Sequence, residues 1–115
     1  MIDPNEIAER YFASVRARDI EAFMALFAAE AMFTLPDGRI ISGLDQIRKM
    51  ESETFEKGAP YPTPTAIICS KDAVAVQIDV RLPSGSILKM ANFYRLDDAG
   101  LIKSLSVYRQ QSHHA

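Results

Sequence analysis

Three polar residues stand out because their types and positions could serve proton-transfer chemistry. Asp79 lies in a segment, residues 74–81, in which apolar and polar side chains alternate, and Asn92 lies among apolar and aromatic neighbours. Asp37 sits in a Pro-Asp-Gly turn. A carboxylate can accept a proton, and a side-chain amide can donate a hydrogen bond at any pH.

Each of these residues also has an ordinary structural explanation. Asp37 fits a solvated turn former, and Asn92 could pair with a polar group on a neighbouring strand. Gln77, Asp79 and Arg81 share one face of a predicted strand. If that face points inward, it supplies a polar wall for acid–base chemistry. If it points outward, it is a solvated or interfacial surface.

Helical signals fill much of the first half of the chain. Asp3 predicts an N-cap before Pro4, Asp19 predicts the cap of a second, short helix, and Ser42 predicts the cap of a third. Tyr11 lies on the apolar stripe of the first helix. Its hydroxyl either points into a pocket or belongs to a core tyrosine that bonds a neighbour.

Short apolar or alternating segments bounded by turn residues predict strands. Residues 58–64, rich in Gly and Pro, predict a stiff connector after the third helix. Short turns connect the predicted strands of the second half, and short turns join antiparallel neighbours. We therefore expect a cone-shaped α+β barrel, with three N-terminal helices packed on a curled, mostly antiparallel sheet. The predicted strands are residues 31–35, 39–41, 65–69, 74–81, 87–96 and 101–110.

A curled sheet that is capped by helices encloses a cavity, so we expect a pocket for a small apolar molecule. The outer sheet face still carries apolar side chains, and a homodimer through that face would cover them. The length fits a single domain, residues 1–111, followed by a frayed tail, residues 112–115.

Composition argues against several other classes of protein. The 115 residues carry a net charge of -2 without a run of Lys or Arg, so no nucleic acid partner is expected. No apolar run reaches the about 18 residues of a membrane span. Cys69 lies in an apolar run, which predicts a buried thiol. Because this is the single cysteine and the N-terminus is polar, we expect a cytoplasmic location. His113 and His114 lack partners at ligand spacing, so neither a metal nor a cofactor is expected.

Three stretches, taken in order, resemble a known superfamily. Residues 9–33 read as an aromatic helix, a break at Asp, a second helix and an acidic-Ala turn into a strand. Ser42-Gly43-Leu44-Asp45-Gln46-Ile47 opens the third helix, and residues 92–102 form two strands around a turn. Over nearly its whole length the chain resembles the nuclear transport factor 2-like fold, in the branch of ketosteroid isomerases and SnoaL-like polyketide cyclases.

The resemblance implies a site that abstracts a proton next to a carbonyl. Tyr11 falls where the isomerases carry their donor tyrosine, and Asn92 falls where they carry a protonated aspartic acid. Their catalytic carboxylate corresponds to a position near Thr34, which cannot act as a base at neutral pH, so Asp37 or Asp79 is expected to accept the proton. The side chains expected to contact the ligand are Val15, Thr34, Met50, Phe55, Tyr61, Tyr94 and Tyr108.

Three functions remain open at this point, because the fold implied by the resemblance hosts both enzymes and binding proteins. The first is a cofactor-independent isomerase, cyclase or dehydratase that acts on a small apolar carbonyl or phenolic compound. The second, favoured by the missing base, is a non-catalytic carrier or sensor of the same ligand. The third is a dimeric module whose outer sheet face docks another protein.

Overall fold

The computed structural model describes residues 3–58 and 61–111, so the predicted tail with His113 and His114 lies outside the described residues. In this part of the chain, three helices pack on one face of a six-stranded mixed sheet. The elements are α1 (Pro4–Ala17), α2 (Ile20–Met24), β1 (Phe27–Thr34), β2 (Ile40–Ser42), α3 (Leu44–Glu56), β3 (Tyr61–Cys69), β4 (Ala73–Arg81), β5 (Ile87–Leu96) and β6 (Ile102–Arg109).

The strand order in the sheet is β2-β1-β6-β5-β4-β3. Neighbouring strands are antiparallel except for β1 and β6, which run parallel. The predicted α+β class with a mostly antiparallel sheet is therefore confirmed. The sheet does not close into a barrel, because β2 and β3 lie at opposite edges. Along the chain, the hairpin of β1 and β2 comes between α2 and α3.

Two of the three predicted helix caps are confirmed. The Asp3 carboxylate accepts a hydrogen bond from the backbone N–H two residues on, at 2.8 Å, and Asp19 accepts one from the N–H three residues on, at 3.1 Å. The prediction for α3 was wrong, because Ser42 is the last residue of β2 and Gly43 occupies the cap without a side-chain hydrogen bond. Gly43 has a φ of 84°, a left-handed value that favours glycine.

Two strands, β1 and β3, begin a full four residues earlier than the sequence predicts. β1 begins at Phe27, which the apolar pattern placed on the second helix, and β3 begins at Tyr61 within the predicted connector. Pro62 and Pro64 are compatible with a strand here because β3 is an edge strand that pairs only with β4. A proline lacks the N–H that a central strand would need on its second side.

The core lies between the helices and the inner sheet face. Alternate residues of β4 are buried there, Val74, Val76, Ile78 and Val80. The apolar stripe of α1 packs on β4, and that of α3 packs on β1. Cys69, expected to be buried, is exposed because it ends the edge strand β3. No helix within the described residues is long and apolar enough to cross a membrane.

Candidate active site

A cavity of about 250 Å³ lies between helices α1 and α3 and the inner face of the sheet. Its walls are mostly apolar, and four residues bring polar side chains to it. None of the lining residues is Lys, Arg or His. The lining residues are Tyr11, Phe12, Val15, Phe33, Leu35, Pro36, Met50, Glu51, Thr54, Pro62, Ile78, Val80, Met90, Asn92 and Val107.

Tyr11 reaches the cavity from the apolar face of α1 and is only 6% exposed. Its ring packs between those of Phe23 and Tyr94, with ring centroids 5.2 Å away in each case. Burial, with smaller contributions from Tyr94 and Glu51, raises the pKa of the Tyr11 hydroxyl well above its ordinary value. The hydroxyl therefore keeps its proton at physiological pH and can act as a hydrogen-bond donor.

Asn92 reaches the cavity from β5 and is 5% exposed. Its side-chain Nδ2 donates to the hydroxyl oxygen of Tyr94, at 2.9 Å. Because an amide has two N–H donors and a carbonyl acceptor, this bond leaves one donor and the oxygen for a ligand. Burial raises the pKa of Tyr94, so this hydroxyl also stays protonated.

Glu51 supplies the carboxyl that the sequence analysis did not identify. It lies on α3, is 8% exposed and lines the cavity. Burial raises its pKa to about 7, since the charged form loses its hydration. The signal was present in the sequence: Glu51 is four residues from Ile47 and from Phe55, so helical periodicity places an acidic side chain in the apolar stripe.

The polar atoms of this site remain accessible to a ligand. In the part of the chain that the structure describes, no buried side-chain N or O atom is fully occluded without a hydrogen-bond partner. The Tyr11 hydroxyl and the Glu51 carboxyl make no hydrogen bond within residues 3–58 and 61–111. Both residues line the cavity, where a bound molecule can meet these groups.

The structure brings some of the predicted site residues together and separates others. Tyr11, Val15, Met50 and Asn92 all line the cavity. Phe55 and Tyr94 are buried beside it in the core, where they pack on Phe23 and on Tyr11, respectively.

Thr34, Tyr61 and Tyr108 do not line the cavity. In β1 the inward residue is Phe33, so Thr34 points to the outer sheet face. Tyr61 is 52% exposed at the start of the edge strand, where the Arg16 guanidinium lies 5.5 Å from its ring centroid. Tyr108 is 58% exposed on the outer face.

Neither carboxylate predicted to accept a proton reaches the cavity. Asp37 is exposed and bonds Arg39 through both the backbone N–H, at 3.0 Å, and the side-chain Nε, at 2.7 Å. These hydrogen bonds lower the pKa of Asp37, as expected for a solvated turn former. Asp79 points outward, where its carboxylate lies 2.7 Å from the Lys89 ammonium. It lies with Tyr108 in a concavity of the outer face and does not line the inner cavity.

The donor set does not resemble a metal site. Among residues 3–58 and 61–111, no three His, Cys, Asp or Glu side chains lie close enough together to hold a metal ion. The cavity instead joins one carboxyl that changes its protonation near neutral pH with two uncharged hydrogen-bond donors. Such a set can move a proton to or from a bound molecule while holding a developing negative charge.

Comparison with solved structures shows the same fold in several proteins. A candidate ketosteroid isomerase from Kribbella flavida DSM 17836 is similar with a TM-score of 0.87 and 22% identity, over 97% of this chain and 81% of that one. The epoxide hydrolase/cyclase-like enzyme SalBIII, which has a role in pyran ring formation in the polyether salinomycin, is similar with a TM-score of 0.81 and 18% identity, over 94% and 91%.

An NTF2-like protein of unknown function from Mesorhizobium loti is similar with a TM-score of 0.83 and 19% identity, over 94% of this chain and 91% of that one. No curated protein sequence matches the chain significantly. The sequence profile of the SnoaL-like domain matches residues 8–105, a span that contains Tyr11, Glu51 and Asn92. The chain therefore belongs to the SnoaL-like domain family.

Proposed function

We propose that this protein catalyses cofactor-independent proton transfer on a small, mostly apolar carbonyl or phenolic compound, as an isomerase, cyclase or dehydratase. The observation that carries the proposal is the Glu51 carboxyl, which is buried without a positive partner in the cavity that Tyr11 and Asn92 also line. With a pKa of about 7, an appreciable fraction of Glu51 is ionised at neutral pH. A general base is most effective when its pKa lies near the pH at which it works.

The arrangement supports an enolisation step. The Glu51 carboxylate takes the proton from a carbon next to the substrate carbonyl. The electron pair of the broken C–H bond forms a C=C bond to the carbonyl carbon, and the π pair of the C=O bond moves onto the oxygen. The Tyr11 hydroxyl and the free Asn92 N–H donate hydrogen bonds to that oxygen as its charge develops. Protonated Glu51 then returns the proton to a different carbon, which restores the carboxylate and shifts a double bond.

The test is the conversion of β-isophorone, an unconjugated ketone, into conjugated isophorone, followed by ultraviolet absorbance. We expect Glu51→Gln to lower the rate by about 100-fold or more, the usual contribution of a general base. Tyr11→Phe should also lower the rate while the fold persists. Glu53→Gln is the matched control, since Glu53 is an exposed carboxylate on the same helix. A Glu51→Gln variant that keeps the parent rate would contradict the proposal.

A non-catalytic carrier is the alternative that the same cavity supports. Its apolar walls and its two donors could hold a carbonyl compound without reaction. In that case the parent protein would bind the ketone, release it unchanged, and Glu51→Gln would bind it equally well. Because Glu51 supplies the base that the sequence analysis missed, we rank the enzyme first.

We also propose that the outer sheet face pairs with a second copy of the chain. Six large apolar side chains of the strands are exposed there, and small Ala and Ser residues lie between them. Two of the positive charges near this face are already engaged, since Lys89 pairs with Asp79 and Arg95 lies over the Phe93 ring. An uncharged centre favours an apolar partner of the same kind. The six side chains are Met32, Ile40, Ile68, Ile87, Phe93 and Tyr108.

A further inference from the structure

The volume of the cavity limits the molecules that it can hold. At about 250 Å³ it lies just below the usual range for drug-sized ligands, about 300–1,000 Å³. We infer that the substrate is a neutral, monocyclic or short-chain ketone or enone of roughly ten non-hydrogen atoms, about what this volume holds at liquid packing density. The carbonyl in this inference rests on the proposed function, whereas the size and the charge rest on the cavity itself.

Aromatic packing holds two of the cavity-lining rings, those of Tyr11 and Phe33, in place. Tyr11 is held between Phe23 and Tyr94, with ring centroids 5.2 Å apart, and Phe33 stacks on Phe27 at 6.4 Å. All five rings are buried, so none can swing outward without opening a gap in the core. A four-ring skeleton needs about twice the available volume, so part of it would have to lie outside the cavity.

Two methionines are the adjustable part of the wall. Met50 of α3 and Met90 of β5 line the cavity and are only half-buried. Their side chains are unbranched and flexible, so shortening them enlarges the cavity with little effect on the aromatic cluster. Met50 and Met90 therefore set the upper limit on substrate size.

The polar groups of the wall exclude an anionic substrate. Among the described residues that line the cavity, Glu51 and Tyr11 are the ionisable ones, and none carries a positive charge. The Thr54 hydroxyl is already used, since it donates to the Met50 carbonyl oxygen at 3.1 Å. A carboxylate or phosphate in this cavity would meet Glu51 without a compensating cation, whereas a single carbonyl oxygen finds two donors in Tyr11 and Asn92.

The experiment compares isophorone, androstenedione and benzoate by calorimetric titration at pH 8, where Glu51 is mostly ionised. These probes are a neutral monocyclic enone, a neutral four-ring enone and an anion of monocyclic size. We expect isophorone to bind the parent protein at least about tenfold more tightly than either of the others. In the Met50→Ala/Met90→Ala variant the ratio of the dissociation constants of androstenedione and isophorone should fall by severalfold. Lys49→Ala, which shortens an exposed side chain of α3, should leave it unchanged.

Androstenedione or benzoate binding to the parent protein as tightly as isophorone would overturn the inference, and so would the failure of all three to bind. If the double variant does not fold, the ranking measured on the parent protein decides. Isophorone binding with the expected preference, combined with no isomerisation of β-isophorone, would leave the size and charge limits standing and remove the proposed catalysis.

Discussion

The Asn92 side-chain amide and the Tyr94 hydroxyl form a buried hydrogen bond, with Nδ2 and Oη 2.9 Å apart. The two residues are separated by one position on β5, so their side chains project from the same sheet face. Tyr94 in turn packs edge-on against the ring of Tyr11. This pair therefore connects the central part of the sheet to helix α1 beside the cavity.

Replacing Tyr94 by Phe removes the acceptor of this hydrogen bond. We expect the free energy of unfolding to fall by about 1–2 kcal/mol, because a buried amide N–H loses its partner. Urea denaturation followed by circular dichroism measures the change. Tyr108→Phe, which removes a hydroxyl from an exposed ring, should stay within about 0.5 kcal/mol of the parent. Equal midpoints for Tyr94→Phe and the parent protein would show that the bond does not stabilise the fold.

Glu51 should make the stability of the protein depend on pH. Its pKa is about 7 in the folded chain and 4.5 for the ordinary carboxyl, so the folded state binds more protons between these values. Stability should therefore fall as the pH rises from about 4.5 to about 7, and this contribution should level off above that, with a total on the order of 3 kcal/mol. Glu51→Gln should remove this component, and Glu53→Gln should keep it. Identical pH profiles for Glu51→Gln and the parent protein would argue against a buried, ionisable Glu51.

The same group should determine the pH dependence of catalysis. A general base acts in its deprotonated form, so kcat/KM for β-isophorone should rise with pH and reach a plateau above an apparent pKa near 7. The profile of Tyr11→Phe should keep this shape at a lower rate, because the base is intact. A rate that is constant between pH 5 and pH 9 would mean that Glu51 is not the proton acceptor.

A charge placed at the centre of the outer sheet face should separate the proposed dimer. Phe93→Arg introduces a positive charge that meets its own symmetry-related copy in an isologous interface. Light scattering coupled to size-exclusion chromatography should give twice the monomer mass for the parent protein and the monomer mass for this variant. Ala13→Arg adds the same charge on an exposed position of α1 and should remain dimeric. A monomeric parent protein would contradict the proposed pairing.

Sequence periodicity was sufficient to predict the helices and strands and part of the candidate site. Tyr11 follows the 3.6-residue stripe of α1, and both Tyr11 and Asn92 line the cavity, although their roles stay predictions. Alternation alone could not determine which face of β4 is the inner one, because both faces of a strand repeat every second residue. The buried set proved to be Val76, Ile78 and Val80, which places Asp79 outside.

Other parts of the site depended on tertiary structure. The resemblance pointed to a position near Thr34 for the base. Adjacent strand residues point to opposite faces, and Phe33 is the residue that enters the cavity. Glu51 was missed for a different reason. A carboxylate on a helix is usually solvated, so its place in step with Ile47 and Phe55 was not weighed as a functional signal.

The parallel pairing of β1 with β6 has a consequence for the order in which the chain folds. β1 pairs with β6, with Phe33 beside Leu105. Phe33, a cavity residue in the first third of the sequence, is therefore held by a strand near the C-terminal end of the chain. Contacts of such sequence separation form late and slow the folding of a domain. During synthesis on a ribosome, the site around Glu51 can therefore be completed only after β6 has emerged, and an unfinished chain has no working cavity.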